Sequence, residues 1–294
     1  MSRKPIAFVG VGAIGLPMAL RLNAAEQVIA VEPFEKAREA AASQGLTVVA
    51  NVNELPELSH ALIMVATPDQ VKDVVLTNNL VAKVEQGGSI VVMSTVGVES
   101  LTELAQALEN SGIHIIDAPV TGGVTGAQSG KLKLYVAGED APVKELDAVF
   151  RSFGEPLDAG TEPGQGQAAK LVNNLLVTTH LVAAAEALNF AEKMNLDTEK
   201  ILTGLLGGAA YSWSLSEFGP EMLKSEPSML RAMLRIFMKD SDLILEAGAN
   251  NDVMMPVISA VKDVLNQAHT MDLDMEDSSS VIEVYRANAS VGVK

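Results

Sequence analysis

The chain has 294 residues and no cysteine. Disulfides and thiolate metal sites are therefore excluded, and a reducing, cytoplasmic home fits the composition. Histidine is scarce too. The four residues are His60, His114, His180 and His269, and no two share a helical turn. A helix-borne zinc pair is not available, and no metal is expected. Positive charge is in deficit, with 21 Lys and Arg against 37 Asp and Glu, a formal net charge of −16. Such a chain repels nucleic acid and anionic lipid at long range, so neither is an expected partner. The same field gives an anionic substrate no help, so any anion site must be local. No repeat of solenoid period is found.

Two stretches imitate targeting segments. "MSRKPIAFVGVGAIGLPMAL" has basic residues before an uncharged run, as a signal peptide does. Three glycines at fixed spacing and a proline interrupt it, and Arg21 follows at once, so it reads as part of the fold. The apolar run after Lys170 contains Asn173, Asn174, His180 and Glu186, so a membrane span is not expected. Asn288-Ala289-Ser290 matches the glycosylation sequon, a match frequent by chance in cytosolic chains.

What the sequence does contain is alternation. Short β-rich runs stand at 6–10, 28–32, 46–50, 61–66, 89–94, 113–118, 132–138 and 155–159. Most are continuously apolar, as expected of strands buried on both faces of a parallel sheet. Helix-like stretches at 13–24, 33–45 and 98–112 separate them. This pattern predicts an α/β fold, a doubly wound Rossmann-type sheet. "GTEPGQG" (160–166) reads as a hinge. Beyond it the patterns are almost all helical, at about 166–194, 197–206, 228–249, 254–269 and 278–287. The expectation is a dinucleotide-binding domain over 1–162. An all-helical substrate and oligomerisation domain then covers 163–294, beginning with a long interdomain helix.

Gly10-x-Gly12-x-x-Gly15 follows the first strand and opens a helix. Gly10 permits the tight turn, Gly12 lets a pyrophosphate approach, and Gly15 lets helix and strand pack closely. Ala13 and Ile14 complete the turn, whose N–H groups face the phosphates. Glu32 ends the second strand, where a carboxylate accepts from ribose hydroxyls and repels a 2′-phosphate. No arginine follows it directly, so NAD is expected over NADP. The bland alternative is a solvated strand end. Competing motifs fail. "TGAQSGKL" has Thr125 where a phosphate loop needs glycine and Leu132 where it needs a hydroxyl. No Tyr-x-x-x-Lys occurs. "DLDMED" (272–277) has Asp277 where a calcium loop needs glycine, so a charged loop is the simpler reading.

One lysine stands in "GQGQAAKLVNNLL" (164–176). On a helix Lys170, Asn173 and Asn174 lie at i, i+3 and i+4 and share roughly one face. Gly164 and Gly166 before them read as room for cofactor or substrate. Spacing alone supports no more than a polar cluster on an interdomain helix.

At these residues the chain resembles the β-hydroxyacid dehydrogenases, the group of 3-hydroxyisobutyrate dehydrogenase and tartronate semialdehyde reductase. The resemblance runs through "FVGVGAIGLPMALRL" (8–22), "DAPVTGGVTGAQSGKL" (117–132), "GQGQAAKLVNN" (164–174) and "MKDSDLILEAG" (238–248). It implies an NAD-dependent hydride transfer between nicotinamide and a small 3-hydroxy acid or semialdehyde, in a cleft between the two domains. Lys170 is implied as general acid and base. A protonated lysine donates to the oxygen in reduction, and a buried one accepts the proton in oxidation. Substrate contacts are implied at Thr121 (where serine is more usual), Gly122, Gly123, Asn174, Ser212 and Trp213. Trp213 could equally be core. Cofactor contacts are implied at the glycine turn, Glu32, Val65, Ala66, Thr95 and Lys239. "MSTVG" (93–97), which carries Thr95, lacks the aspartate and proline that often flank it in the family. A homodimer or homotetramer is expected, because a long apolar helix needs neighbours on more than one side. Two other readings stay open: a non-catalytic NAD-responsive interaction protein, and an imine reductase on the same fold. Lys170, Asn174 and Lys239 speak against the first, and Lys170 against the second.

Overall fold

The structure is a computed structural model that describes residues 4–288 except 226 and 229. Ala289 and Ser290 of the sequon lie outside the described residues. Two compact units divide at Lys170 and Leu171.

The first unit is built on nine strands: β1 (Ile6–Val9), β2 (Val28–Val31), β3 (Thr47–Val49), β4 (Leu58–Ile63), β5 (Val84–Val92), β6 (His114–Asp117), β7 (Val120–Thr121), β8 (Leu132–Ala137) and β9 (Gly154–Gly160). They form one sheet in the order β3-β2-β1-β4-β5-β6-β8-β7, with β9 on the other side of β8. From β3 to β6 every pairing is parallel. The order 3-2-1-4-5-6 is that of a doubly wound dinucleotide-binding sheet. β8 turns antiparallel to β6 and β7 and pairs β9 in parallel.

Period-two alternation explains why the strands are apolar throughout. Phe8, Leu62, Val91 and Ile116 point to one core, shared with Met18 and Leu22 of helix Gly15–Asn23 and Phe150 and Phe153 of helix Asp147–Phe153. Ala7, Val9, Ile63, Ile90 and Val92 point to the other, shared with Leu101 and Leu104 of helix Val98–Leu108. Each fully buried Val, Leu, Ile, Met or Phe side chain among them contributes about 1.5–3 kcal/mol. Both faces are covered, so the central strands are largely apolar, with Ser59, His60 and Ser89 buried within β4 and β5.

The differences from expectation each have a physical cause. The run at 61–66 forms a strand that begins earlier, at Leu58, and ends at Ile63. Ser59 and His60 disguised its start, yet both are buried, and His60 Nδ1 accepts from the Ser89 N–H at 3.2 Å. β5 begins at Val84 and takes in Gly87 and Gly88. A Cβ at Gly88 would stand 2.3 Å from the Ser59 carbonyl oxygen, at the place where the β4–β5 register shifts. "DLDMED" ends at Asp277, which caps the short helix Ser278–Val281 and accepts from the Arg231 N–H.

The second unit is helical. Besides most of the long helix Gln165–Lys193 it contains Thr198–Leu206, Trp213–Met222, Leu234–Asn250, Pro256–Thr270 and Ile282–Asn288. Helix Trp213–Met222 lies outside the helical patterns read from the sequence, and it carries Pro220 inside it. The long helix is long and apolar enough to cross a membrane by length and composition, with mean hydropathy 1.3 over its apolar window. Gln167, Lys170, Asn174 and Thr178 are nevertheless buried polar residues along it.

Phe8 is fully buried and meets Phe153 edge-on at 6.3 Å between ring centroids. Phe8→Ala is expected to destabilise the first unit by about 3–5 kcal/mol. Denaturant unfolding of the variant, followed by circular dichroism, measures it; a midpoint equal to wild type would contradict this packing.

Candidate active site

The three glycines of the turn have three different surroundings. Gly10 has φ +91°, and a Cβ there would stand 2.3 Å from the Met64 carbonyl oxygen and 3.1 Å from Val65 Cγ1. A Cβ at Gly15 would stand 2.0 Å from the Gly10 carbonyl oxygen. A Cβ at Gly12 would meet nothing within 4 Å. Two glycines thus let the chain pack on itself, and the middle one leaves space. Gly12 and Ala13 are exposed, Ile14 half-buried. An open turn at a helix N-terminus is what a pyrophosphate needs, so the residues fit a dinucleotide.

Glu32 is not a solvated strand end. It is 5% exposed, and its carboxylate accepts from the Val11 N–H at 3.2 Å and the Phe34 N–H at 3.1 Å. Each oxygen retains acceptor capacity for a hydroxyl. On the next helix Arg38 donates to the carbonyls of Glu32 and Pro33. Sequence reading, which looked only at the residues adjoining Glu32, passed over this guanidinium. Val65 N–H donates to Ser94 Oγ at 2.8 Å and Ala66 N–H to Gln70 Oε1 at 2.8 Å. The loop after β4 is thereby fixed beside the glycine turn.

Lys170 is 8% exposed. The helix that carries it begins on a buried carboxylate. Asp117, at the end of β6, accepts from the Gln167 N–H at 2.7 Å and from Gln167 Nε2 at 2.8 Å, and the N–H groups of Gly164 and Gly166 face it as well. Asp117 therefore caps the first turn from another element. Burial pushes its carboxyl up to about 7, against the pull of these N–H donors.

This changes the reading of the two glycines. A Cβ at Gly166 would lie 2.9 Å from Asp117 Oδ2 and 2.4 Å from the Tyr135 carbonyl oxygen, and Gly164 has φ +100° against Thr102 and Val98. Their room is taken by the protein itself, not reserved for cofactor or substrate. Asp117 and Gln167, both fully buried, stood inside recognised motifs without a role. A polar residue at the end of an apolar strand was the available signal.

Thr121 ends β7, and Gly122 and Gly123 follow with φ +124° and +62°. A Cβ at Gly123 would meet nothing within 4 Å. Thr95 is half-buried in the loop after β5.

In the second unit, Asn174 Nδ2 donates to Asp240 Oδ2 at 2.6 Å, and Asn173 Nδ2 donates to Asn174 Oδ1 at 2.9 Å. A flipped Asn174 amide would set donor against donor and acceptor against acceptor, so its orientation is determined. One N–H and one lone pair remain for a ligand. Asn173, which spacing left without a role, supplies this orientation. The Lys239 ammonium lies 2.8 Å from Asp240 Oδ1, an ion pair outside hydrogen-bond directions, so Oδ1 keeps its acceptor capacity. Asp240 was missed in sequence because its neighbour Lys239 drew the assignment. Ser212 caps helix Trp213–Met222 by accepting from the Leu215 N–H. Trp213 is 42% exposed and meets Phe218 edge-on at 5.9 Å.

Comparison with known proteins covers both units. Residues 5–163 match the profile of the NAD binding domain of 6-phosphogluconate dehydrogenase. Residues 164–285 match that of the NAD-binding region of NADP-dependent 3-hydroxyisobutyrate dehydrogenase. A 2-(hydroxymethyl)glutarate dehydrogenase of Eubacterium barkeri is 28% identical, over 98% of this chain and 97% of its own. A 2-hydroxy-3-oxopropionate reductase of Escherichia coli is 27% identical, over 97% and 98%. The crystal structure of a 3-hydroxyisobutyrate dehydrogenase from Salmonella typhimurium superposes with a TM-score of 0.88 over 96% of this chain and 99% of that one; at 23% identity it speaks for the fold. The two profiles follow one another in order from residue 5 to residue 285, and the chain belongs to the β-hydroxyacid dehydrogenase family.

Proposed function

We propose that the protein is an NAD-dependent dehydrogenase of a small 3-hydroxy acid, with Lys170 as its acid–base group. Family membership supports a hydroxyacid dehydrogenase using a nicotinamide cofactor; NAD over NADP, the substrate and the lysine's role are the finer reading. The observation that carries it is Lys170 itself, a lysine 8% exposed within the family's motif. Burying a lysine costs desolvation, and acid–base sites are where such burial is used to tune a proton donor.

The chemistry divides between carrier and protein. When bound, NAD supplies the acceptor for the hydride that leaves the carbinol carbon. Lys170 Nζ takes the hydroxyl proton in oxidation and returns it to the carbonyl oxygen in reduction. Asn174, its amide set by Asn173 and Asp240, offers the substrate one N–H and one lone pair. Thr121, Gly122 and Gly123 offer a hydroxyl and open backbone N–H groups to a carboxylate. Ser212 and Trp213 complete the substrate set, and Lys239 the cofactor set. The two curated relatives are named for compounds in which the alcohol or aldehyde carbon is β to a carboxylate, which supports the 3-hydroxy acid class.

Glu32 supports NAD: a buried carboxylate beside the ribose would oppose a 2′-phosphate. Arg38, held at the carbonyls of Glu32 and Pro33, favours NADP as the second reading. Cytoplasmic residence and a homodimer or homotetramer belong to the same proposal. The oligomer is supported by Leu176 and Phe190, which stand exposed on the long helix.

Two measurements test this reading. Steady-state kinetics with each cofactor, across 3-hydroxyisobutyrate, glycerate, threonate and serine, are expected to give the higher kcat/KM with NAD. A preference for NADP would overturn the assignment to Glu32. Lys170→Ala is expected to lower kcat by about 10²–10⁴-fold while NADH still binds in a fluorescence titration. Near-normal turnover in that variant would remove the lysine from the mechanism, and NADH binding without turnover in wild type would favour a non-catalytic protein.

A further inference from the structure

The Gln167 side chain satisfies every hydrogen-bonding position it has. Oε1 accepts from the Val96 N–H at 2.9 Å and the Gly97 N–H at 3.2 Å. Nε2 donates to the Ser94 carbonyl at 3.0 Å and to Asp117 Oδ1 at 2.8 Å. An amide has two donor hydrogens and two acceptor lone pairs, so all four are used. The residue is fully buried. Three of the four bonds go to the backbone on either side of Thr95, the residue that the family resemblance assigns to the nicotinamide. The fourth goes to Asp117, which also holds the Gln167 backbone N–H. Lys170 follows three residues later on the same helix.

We propose that Gln167 is a positioning residue for hydride transfer: its amide fixes the loop carrying Thr95 against the helix turn carrying Lys170, and Asp117 holds that amide in place. The proposal rests on the reading of Lys170 as proton partner. A lysine donating a proton from a turn that could shift by about 1 Å would lose about 10² in rate. A saturated amide suits the task because rotating it would set N–H against N–H and oxygen against oxygen at every partner. Ser94 extends the same tie, since its hydroxyl accepts from Val65 N–H and so includes the loop after β4.

Gln167→Ala and Gln167→Glu test it. In Gln167→Ala the amides of Val96 and Gly97 are expected to exchange hydrogen at least about tenfold faster, having lost their acceptor. With the hydroxy acid that wild type oxidises, kcat is expected to fall about 10²-fold, with NADH affinity and the substrate KM within about threefold of wild type, the split expected of lost positioning. Unchanged exchange at Val96 and Gly97, or faster exchange with kcat within threefold of wild type, would overturn the proposal. Gln167→Glu serves if the alanine variant does not fold. It keeps the two acceptor contacts and sets a second carboxylate against Asp117, so one of the pair holds a proton near neutrality. Lys170, one turn on, is the charged group that follows on the helix. The kcat of this variant is expected to recover as pH falls, relative to wild type; a parallel pH profile would count against the proposal. If Lys170→Ala retains turnover, the lysine reading fails, while exchange at Val96 and Gly97 still decides the clamp.

Discussion

Burial of the sheet on both faces is the constraint on which the rest of the first unit depends. Strands that are apolar above and below can carry no chemistry along their length. Polar groups must gather where the strands stop, and in a parallel run the carboxyl ends all stop at one edge. That is where the candidate site residues of this unit are found. Gly10 follows β1, Glu32 follows β2, Val65 and Ala66 follow β4, Thr95 follows β5, and Asp117 ends β6. The connections at that edge are then tied by a few buried acceptors. Glu32 holds Val11, Ser94 holds Val65, and Asp117 holds the start of the long helix. The candidate site of the first unit is thus a by-product of the sheet's own need to finish its backbone hydrogen bonds.

Most of this frame was legible in the sequence, because it rests on periodicity and on glycine. The parallel core strands announced themselves as continuous apolar runs, and the glycine turn stood between a strand and a helix as the dinucleotide pattern requires. What escaped was set by contacts distant in the chain. The polar start of β4 looks like a loop until Ser89 is seen donating to His60. Helix Trp213–Met222 keeps Pro220 inside it, while Ser214 Oγ donates to the Val177 carbonyl 37 residues away. Gly164 and Gly166 could be recognised as needing space, but not what fills it. The occupants, Asp117, Tyr135, Thr102 and Val98, are all far away in sequence.

The two units share a device. Each takes a side chain assigned to the chemistry and leaves its placement to amides and a carboxylate. In the first, the turn before Lys170 is held by Gln167 and Asp117. In the second, Asn174 is held by Asn173 and Asp240. In both arrangements a carboxylate oxygen accepts from the amide. The carboxylates remove rotational freedom from an amide that otherwise has two orientations of similar energy, and they do so with a single bond each way. Such supporting residues carry no motif of their own, which is why spacing pointed to Lys170 and Asn174 and passed over their holders.

Asp117 has one more consequence, which concerns folding rather than geometry. An aspartate ordinarily titrates near 3.8, and burial lifts this one to about 7. Between those values the unfolded chain has released the proton and the folded chain still retains it. Folding therefore takes up a proton in that window. The group's contribution to stability is complete below about 3.8 and is withdrawn as pH rises toward 7. Carboxylates held by cations work in the opposite sense and lose their contribution as pH falls. In a chain with 37 acidic residues, the aspartate that starts the long helix is thus a proton reservoir, filled when the first unit folds and emptied when it opens.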